Sequence, residues 1–101
     1  MFNKLKNKNI IRRVRILGNF AILFRENKNE ILFQAEFTGR AGDETVHINS
    51  RKVWRYDKHK LLSDLQEVTL DGIEMAEAIK IITSELIQEG FHVQIHDKIP
   101  N

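Results

Sequence analysis

From Arg13 onward, apolar and polar residues mostly alternate with a period of two, the pattern of strands that bury one face and leave the other open. The first run covers residues 11–17, with Val14 and Ile16 set against arginines. Gly18 and Asn19 then supply a two-residue turn, because glycine accepts positive φ without a steric penalty. The chain returns through FAILFRE and turns again at Asn27, Lys28 and Asn29. In EILFQAEFTG, Ile31, Phe33, Ala35 and Phe37 share one face and are assigned to the core. Leu32, Gln34, Glu36 and Thr38 share the other, which places Glu36 on the more open side. Gly39 and Gly42 frame a further turn, and ETVHINS forms a fourth strand with Val46 and Ile48 inward. These runs predict a four-stranded antiparallel meander.

After a polar link the period changes to that of a helix. Met75, Ile79, Ile82 and Leu86 recur at spacings of four, three and four, and Ile73, Ala76 and Ala78 are expected to widen that stripe. Thr69 is the expected N-cap, with Asp71 and Glu74 as a rival pair. Gly90 suits the left-handed residue that ends a helix, and Phe91 the apolar contact behind it. The chain then re-enters a strand, FHVQIHD, with Phe91, Val93 and Ile95 alternating against His92, Gln94 and His96. The fold class read from these patterns is α+β: a meander, one long helix packed on it, and a C-terminal strand.

Length and charge narrow this picture. With 101 residues there is room for one core, so residues 11–101 are read as a single domain preceded by a basic, mobile arm at residues 1–10. Residues 1–25 hold seven Lys or Arg and no acid, which leaves nine bases against fourteen acids in the remainder; the +7 and −5 sum to the net +2. Cysteine is absent, which excludes disulfides, thiolate metal sites and a thiol nucleophile. Apolar runs such as FAILF are far too short to span a bilayer, and arginines interrupt any secretory h-region, so the expected location is the cytoplasm.

Candidate chemistry is sparse. His92 and His96 lie four apart, the spacing of a helical zinc pair. On a strand, at ~3.3 Å per residue, that spacing puts them about 13 Å apart, so they read as solvent-side histidines. His47 can face Glu36 across the sheet, an arrangement commoner as structure than as catalysis. No nucleophile elbow or glycine-rich phosphate loop is present. The reading is of a non-catalytic chain with no catalytic, cofactor or metal residues and no cofactor. Trp54, the only tryptophan, sits among charges in NSRKVWRYDK. It either seals the core between the last meander strand and the helix or anchors a partner, and Arg55 and Tyr56 beside it favour recognition.

In its order of features the chain resembles the immunity protein 74 family, small bacterial proteins encoded beside polymorphic toxins. The resemblance is carried by FAILFRENKNEILF, by Glu36 in QAEFTG, by SRKVW and by IKIITSELIQEGFHVQI. The sequence departs from the family pattern at Arg51 and at Tyr56 and Asp57. The resemblance implies protection of a cell by tight binding of a cognate toxin domain, without substrate turnover. Candidate contacts, taken from the end of the sheet, are Glu36, Arg40, Arg51, Trp54, Arg55 and Tyr56. Two rival classes are a domain that oligomerises by strand pairing, so that a second copy of the chain is a further expected partner, and a binder of anionic surfaces or nucleic acid through the N-terminal arm. Nucleic acid is the less favoured, because the arm lacks aromatic residues placed to stack on bases.

Overall fold

A computed structural model describes residues 13–26 and 28–96; the basic arm at residues 1–10 lies outside the described residues. The chain runs β1 (Val14–Leu17), β2 (Ala21–Glu26), β3 (Asn29–Arg40), β4 (Asp43–Arg55), β5 (Gln66–Val68), α1 (Gly72–Gln88) and β6 (His92–His96), with a 3₁₀ turn at Leu62–Asp64. Strands β1 to β4 form the expected antiparallel meander, each paired with the next. Among the described residues the fold is α+β, with one curled sheet and one α-helix.

The sheet has more strands than the alternation predicts, because β4 is 13 residues long and its outer edge accommodates two partners. β5 pairs antiparallel with its second half at Val53, Trp54 and Arg55, and β6 pairs parallel with its first half from Thr45 to Asn49. The parallel pairing follows from the helix. Seventeen residues of α1 carry the chain back by about 25 Å, so β6 starts beside the same end as β4.

The expectation that the fourth strand stops at Ser50 is corrected: β4 continues through Trp54 to Arg55. Phe33 pairs with Val53 but Ala35 pairs with Ile48, so four residues of β4, 49–52, stand opposite Gln34 alone. Three extra residues are an odd number, and the inward parity therefore flips from Val46 and Ile48 to Val53. Asn49 holds this bulge. It is buried, its Nδ2 donates to Gln34 Oε1 at 3.3 Å, and its Oδ1 accepts from the Arg51 backbone N–H at 2.8 Å. The Ser50 hydroxyl donates to the His96 carbonyl at 3.1 Å, which ties the bulge to β6.

Two apolar clusters flank the sheet. On the helix side Ile22, Phe24, Phe33, Ala35, Val46, Ile48 and Val53 meet Ala78, Ile82 and Leu86; of these strand residues the alternation predicted Phe33, Ala35, Val46 and Ile48. Phe37 and Phe91 join its margin edge to face, with ring centroids 5.9 Å apart. On the other side Ala21, Leu23, Leu32 and Leu65 form a smaller cluster with Leu17, Trp54 and Tyr56. Ala21, Ile22, Leu23 and Phe24 are all buried because β2 is covered on both faces, which explains the unbroken apolar run.

The helix ends differ from expectation at one end only. Asp71, not Thr69, is the N-cap: its carboxylate accepts from the Glu74 N–H at 2.8 Å, while Glu74 Oε1 accepts from the Asp71 N–H at 3.2 Å, closing a capping box. At the C-terminus Gly90 has φ 97°, its N–H donates to the Ile87 carbonyl and the Phe91 N–H to that of Leu86, both at 3.0 Å. This is the Schellman arrangement. The buried stripe is narrower than predicted, since Ile73 is 79% exposed and Ala76 is exposed too. Ile73 and Ile82 are nine positions apart, and at roughly 100° per residue that places them on opposite sides of the helix. In the first connection, Leu17 pairs with Ala21, so the turn has three residues, Gly18, Asn19 and Phe20, in place of the expected two.

Candidate functional site

The face of the sheet opposite α1 is only partly covered. Residues 57–65 leave the end of β4, cross this face and re-enter the sheet at β5, pinned by the buried Leu65 within the smaller cluster. A backbone bond from the Tyr56 N–H to the Glu30 carbonyl at 2.8 Å fixes where this strap departs. On one side of the strap lies an apolar concavity of about 270 Å³, lined by Phe20, Ala21, Leu32, Gln34, Trp54 and Leu62. Its rim leaves large apolar groups in water: Phe20 is 48% exposed and Leu62 is 45% exposed. Leu61, 72% exposed, precedes the 3₁₀ turn. On the other side lies a polar concavity of about 520 Å³ that includes Arg15, Arg25, Arg55, Tyr56, Lys58 and Lys60.

Trp54 belongs to this open face. It pairs with Leu32 on one side and Glu67 on the other, and packs half-buried on the smaller cluster. Of the two alternatives for Trp54, closure of the core between the sheet and the helix does not hold: its indole lies with the cluster on the face away from α1. The bulge is the reason, since the parity flip that turns Val53 inward turns Trp54 outward.

The six residues singled out in the sequence do not form one patch. Trp54, Arg55 and Tyr56 stand together where β4 meets the strap, and exposed Arg51 lies in the nearby bulge. Glu36 is exposed midway along β3. Arg40 pairs with Asp43 at the far hairpin, eight residues from Leu32, or roughly 26 Å at the rise of a strand. Phe20, Leu61 and Leu62 were missed. The signal available for the leucines was an apolar pair inside the otherwise polar KHKLLSD.

Beyond the apolar concavity, a hydrogen-bonded chain crosses three strands. Thr38 Oγ1 and His47 Nε2 are 2.9 Å apart, and His47 Nδ1 and His96 Nε2 are likewise 2.9 Å apart. One proton is shared in each contact, and either tautomeric order satisfies both. Glu36 lies in register with His47, as the sequence predicted, yet His47 is committed to Thr38 and His96. The order hydroxyl, imidazole, imidazole is that of a nucleophile, a base and an orienting group. Neither concavity beside the strap is lined by any of the three residues, and the hydrogen bonds join β3, β4 and β6. His92 Nε2 donates to Asp43 Oδ1 at 2.8 Å on the exposed end of the sheet. No group of three or more His, Asp or Glu placed to hold a metal ion occurs among the described residues. Nor, among them, is any helix long and apolar enough to cross a membrane.

Known protein families, characterised proteins and solved structures offer no match to this chain. The functional reading therefore rests on the geometry of the open face and on the order of sequence features.

Proposed function

We propose that this chain is a cytoplasmic immunity protein that binds a cognate bacterial toxin domain and holds it inactive, without turning over a substrate of its own. The observation that carries the reading is the apolar concavity beside the strap, where Phe20, Trp54 and Leu62 leave aromatic and aliphatic surface in water on a rigid sheet. An amphipathic indole in a preformed hollow flanked by aliphatic groups is the composition of a binding hot spot. Arg51, Arg55 and Tyr56 lie near Trp54 along the chain, while Glu36 and Arg40 continue along the same sheet toward the distal hairpin. The resemblance to the immunity protein 74 family supplies the kind of partner. A sheet whose two faces are both packed around β2 and β3 is preorganised, which reduces the ordering that binding requires.

The test is rescue by co-expression with the C-terminal domain of whatever protein is encoded immediately upstream, which the reading requires to be toxic when expressed alone. The native chain is expected to restore growth. Leu62→Asp places a charge in the concavity at an exposed position, and is expected to abolish rescue while leaving the melting temperature within a few degrees of the native value. Full rescue by Leu62→Asp would remove the concavity from the interface, and failure of the native chain to rescue would remove the immunity function itself.

A further inference from the structure

The polar concavity on the other side of the strap has a different character. Its lining includes four cationic residues besides Arg55, namely Arg15, Arg25, Lys58 and Lys60, against two carboxylates, Glu30 and Asp57, for a formal balance of +2 without Arg55. Both carboxylates are engaged. Glu30 Oε2 accepts from Arg25 Nη2 at 2.6 Å and from Arg25 Nε at 3.1 Å, a part-buried pair that fixes the guanidinium in place. Asp57 Oδ1 accepts from the His59 N–H at 2.9 Å, and the Asp57 carbonyl accepts from the Lys60 N–H at 3.1 Å. These two bonds fold residues 57–60 into a tight turn that presents Lys58 and Lys60 from the strap. Arg15, Arg55, Lys58 and Lys60 have no ion-pair partner among the described residues.

Three elements thus converge cations on one hollow: β1 gives Arg15, β2 gives Arg25 and the strap gives both lysines, while Arg55 borders it at the end of β4. A volume of about 520 Å³ falls within the range of small-ligand sites. Unpaired like charges held close on fixed backbone repel one another, and a multivalent anion relieves that repulsion while accepting several charge-assisted hydrogen bonds at once. Tyr56, half-buried at the hollow, adds an aromatic wall and a phenolic donor.

We infer that this hollow is a binding site for a compact multivalent oxyanion, a phosphate-bearing or polycarboxylate small molecule, held by Arg15, Lys58 and Lys60 beside Tyr56. The site is separate from the apolar concavity and does not depend on the immunity reading. The experiment is a titration of the full chain followed by amide NMR at about 0.15 M sodium chloride, with pyrophosphate in one arm and citrate in the other. Saturable shifts confined to Arg15, Tyr56 and residues 58–60 are expected in at least one arm. Tighter binding of pyrophosphate assigns the site to phosphate ligands, and tighter binding of citrate to polycarboxylates. The Lys58→Ala, Lys60→Ala double variant, both positions being exposed, is expected to keep its melting temperature and to bind at least about tenfold more weakly, the loss that accompanies one charge-assisted contact. Shifts no larger than those from sodium chloride at matched ionic strength in both arms, or saturable shifts that the double variant leaves unchanged, would overturn the site.

Discussion

At Gly39 the backbone has φ +99°, and a Cβ built there would lie 2.6 Å from the Asp43 carbonyl oxygen. Gly42, on the other side of the same hairpin, has φ +89° but open space around the equivalent position. The two glycines therefore separate conformational strain from collision. Gly42→Ala bears only the left-handed penalty, about 1–2 kcal/mol, whereas Gly39→Ala adds a clash with backbone that cannot swing aside and should lose more, about 3 kcal/mol or above. Urea denaturation of the two variants measures the difference, and equal losses would show that the hairpin shifts to admit the methyl group. That these glycines frame a turn was legible from the sequence; that one of them is also sterically enclosed was not, since enclosure depends on the register of Gly39 with Glu44 and Arg40 with Asp43. Asn49 marks a similar boundary. Alternation through Val46 and Ile48 pointed correctly to the core, but the three inserted residues that Asn49 stabilises reverse parity before Val53, and for that reason the side occupied by Trp54 could not be read by counting.

Among the elements, the helix shows how close competing signals can lie. Thr69 and Asp71 are both good caps by chemistry, and the reciprocal bond from Glu74 decides for Asp71, because a Glu at the third helical position satisfies the cap's own N–H. Asp71→Ala is expected to lower stability by about 1 kcal/mol, and Thr69→Ala, at an exposed position outside the box, by less than about 0.5 kcal/mol. Thermal melts of both variants check the order; a larger loss at Thr69 would place the helix start two residues earlier. The stripe of Ala78, Ile82 and Leu86 was readable from period alone, and so was the strand after Gly90. The pairing of β6 was not, because whether a strand runs parallel or antiparallel to its neighbour depends on where the intervening helix returns the chain. β5, three residues long and polar on its open side, carries too little pattern to stand out from the link around it.

Across the whole molecule, β2 and β3 contribute to both apolar clusters: Ile22, Phe24, Phe33 and Ala35 to the one under the helix, and Ala21, Leu23 and Leu32 to the one under the strap. Neither cluster can disperse while the other keeps its strands in place, since each requires the same backbone ladders. The outer edge of β4 reinforces this coupling, holding β5, which follows the strap, and β6, which follows the helix. Unfolding is accordingly expected to be a single cooperative transition. The lone tryptophan makes the expectation measurable, for Trp54 packs on the strap cluster and its fluorescence reports that side, while far-UV circular dichroism is dominated by the sheet and α1. Urea curves recorded by the two probes should superimpose in midpoint and slope. A fluorescence change that came first would mean the strap opens while the sheet and helix persist, in which case the apolar concavity that shares Trp54 would be a mobile surface and not the rigid one on which the binding argument depends.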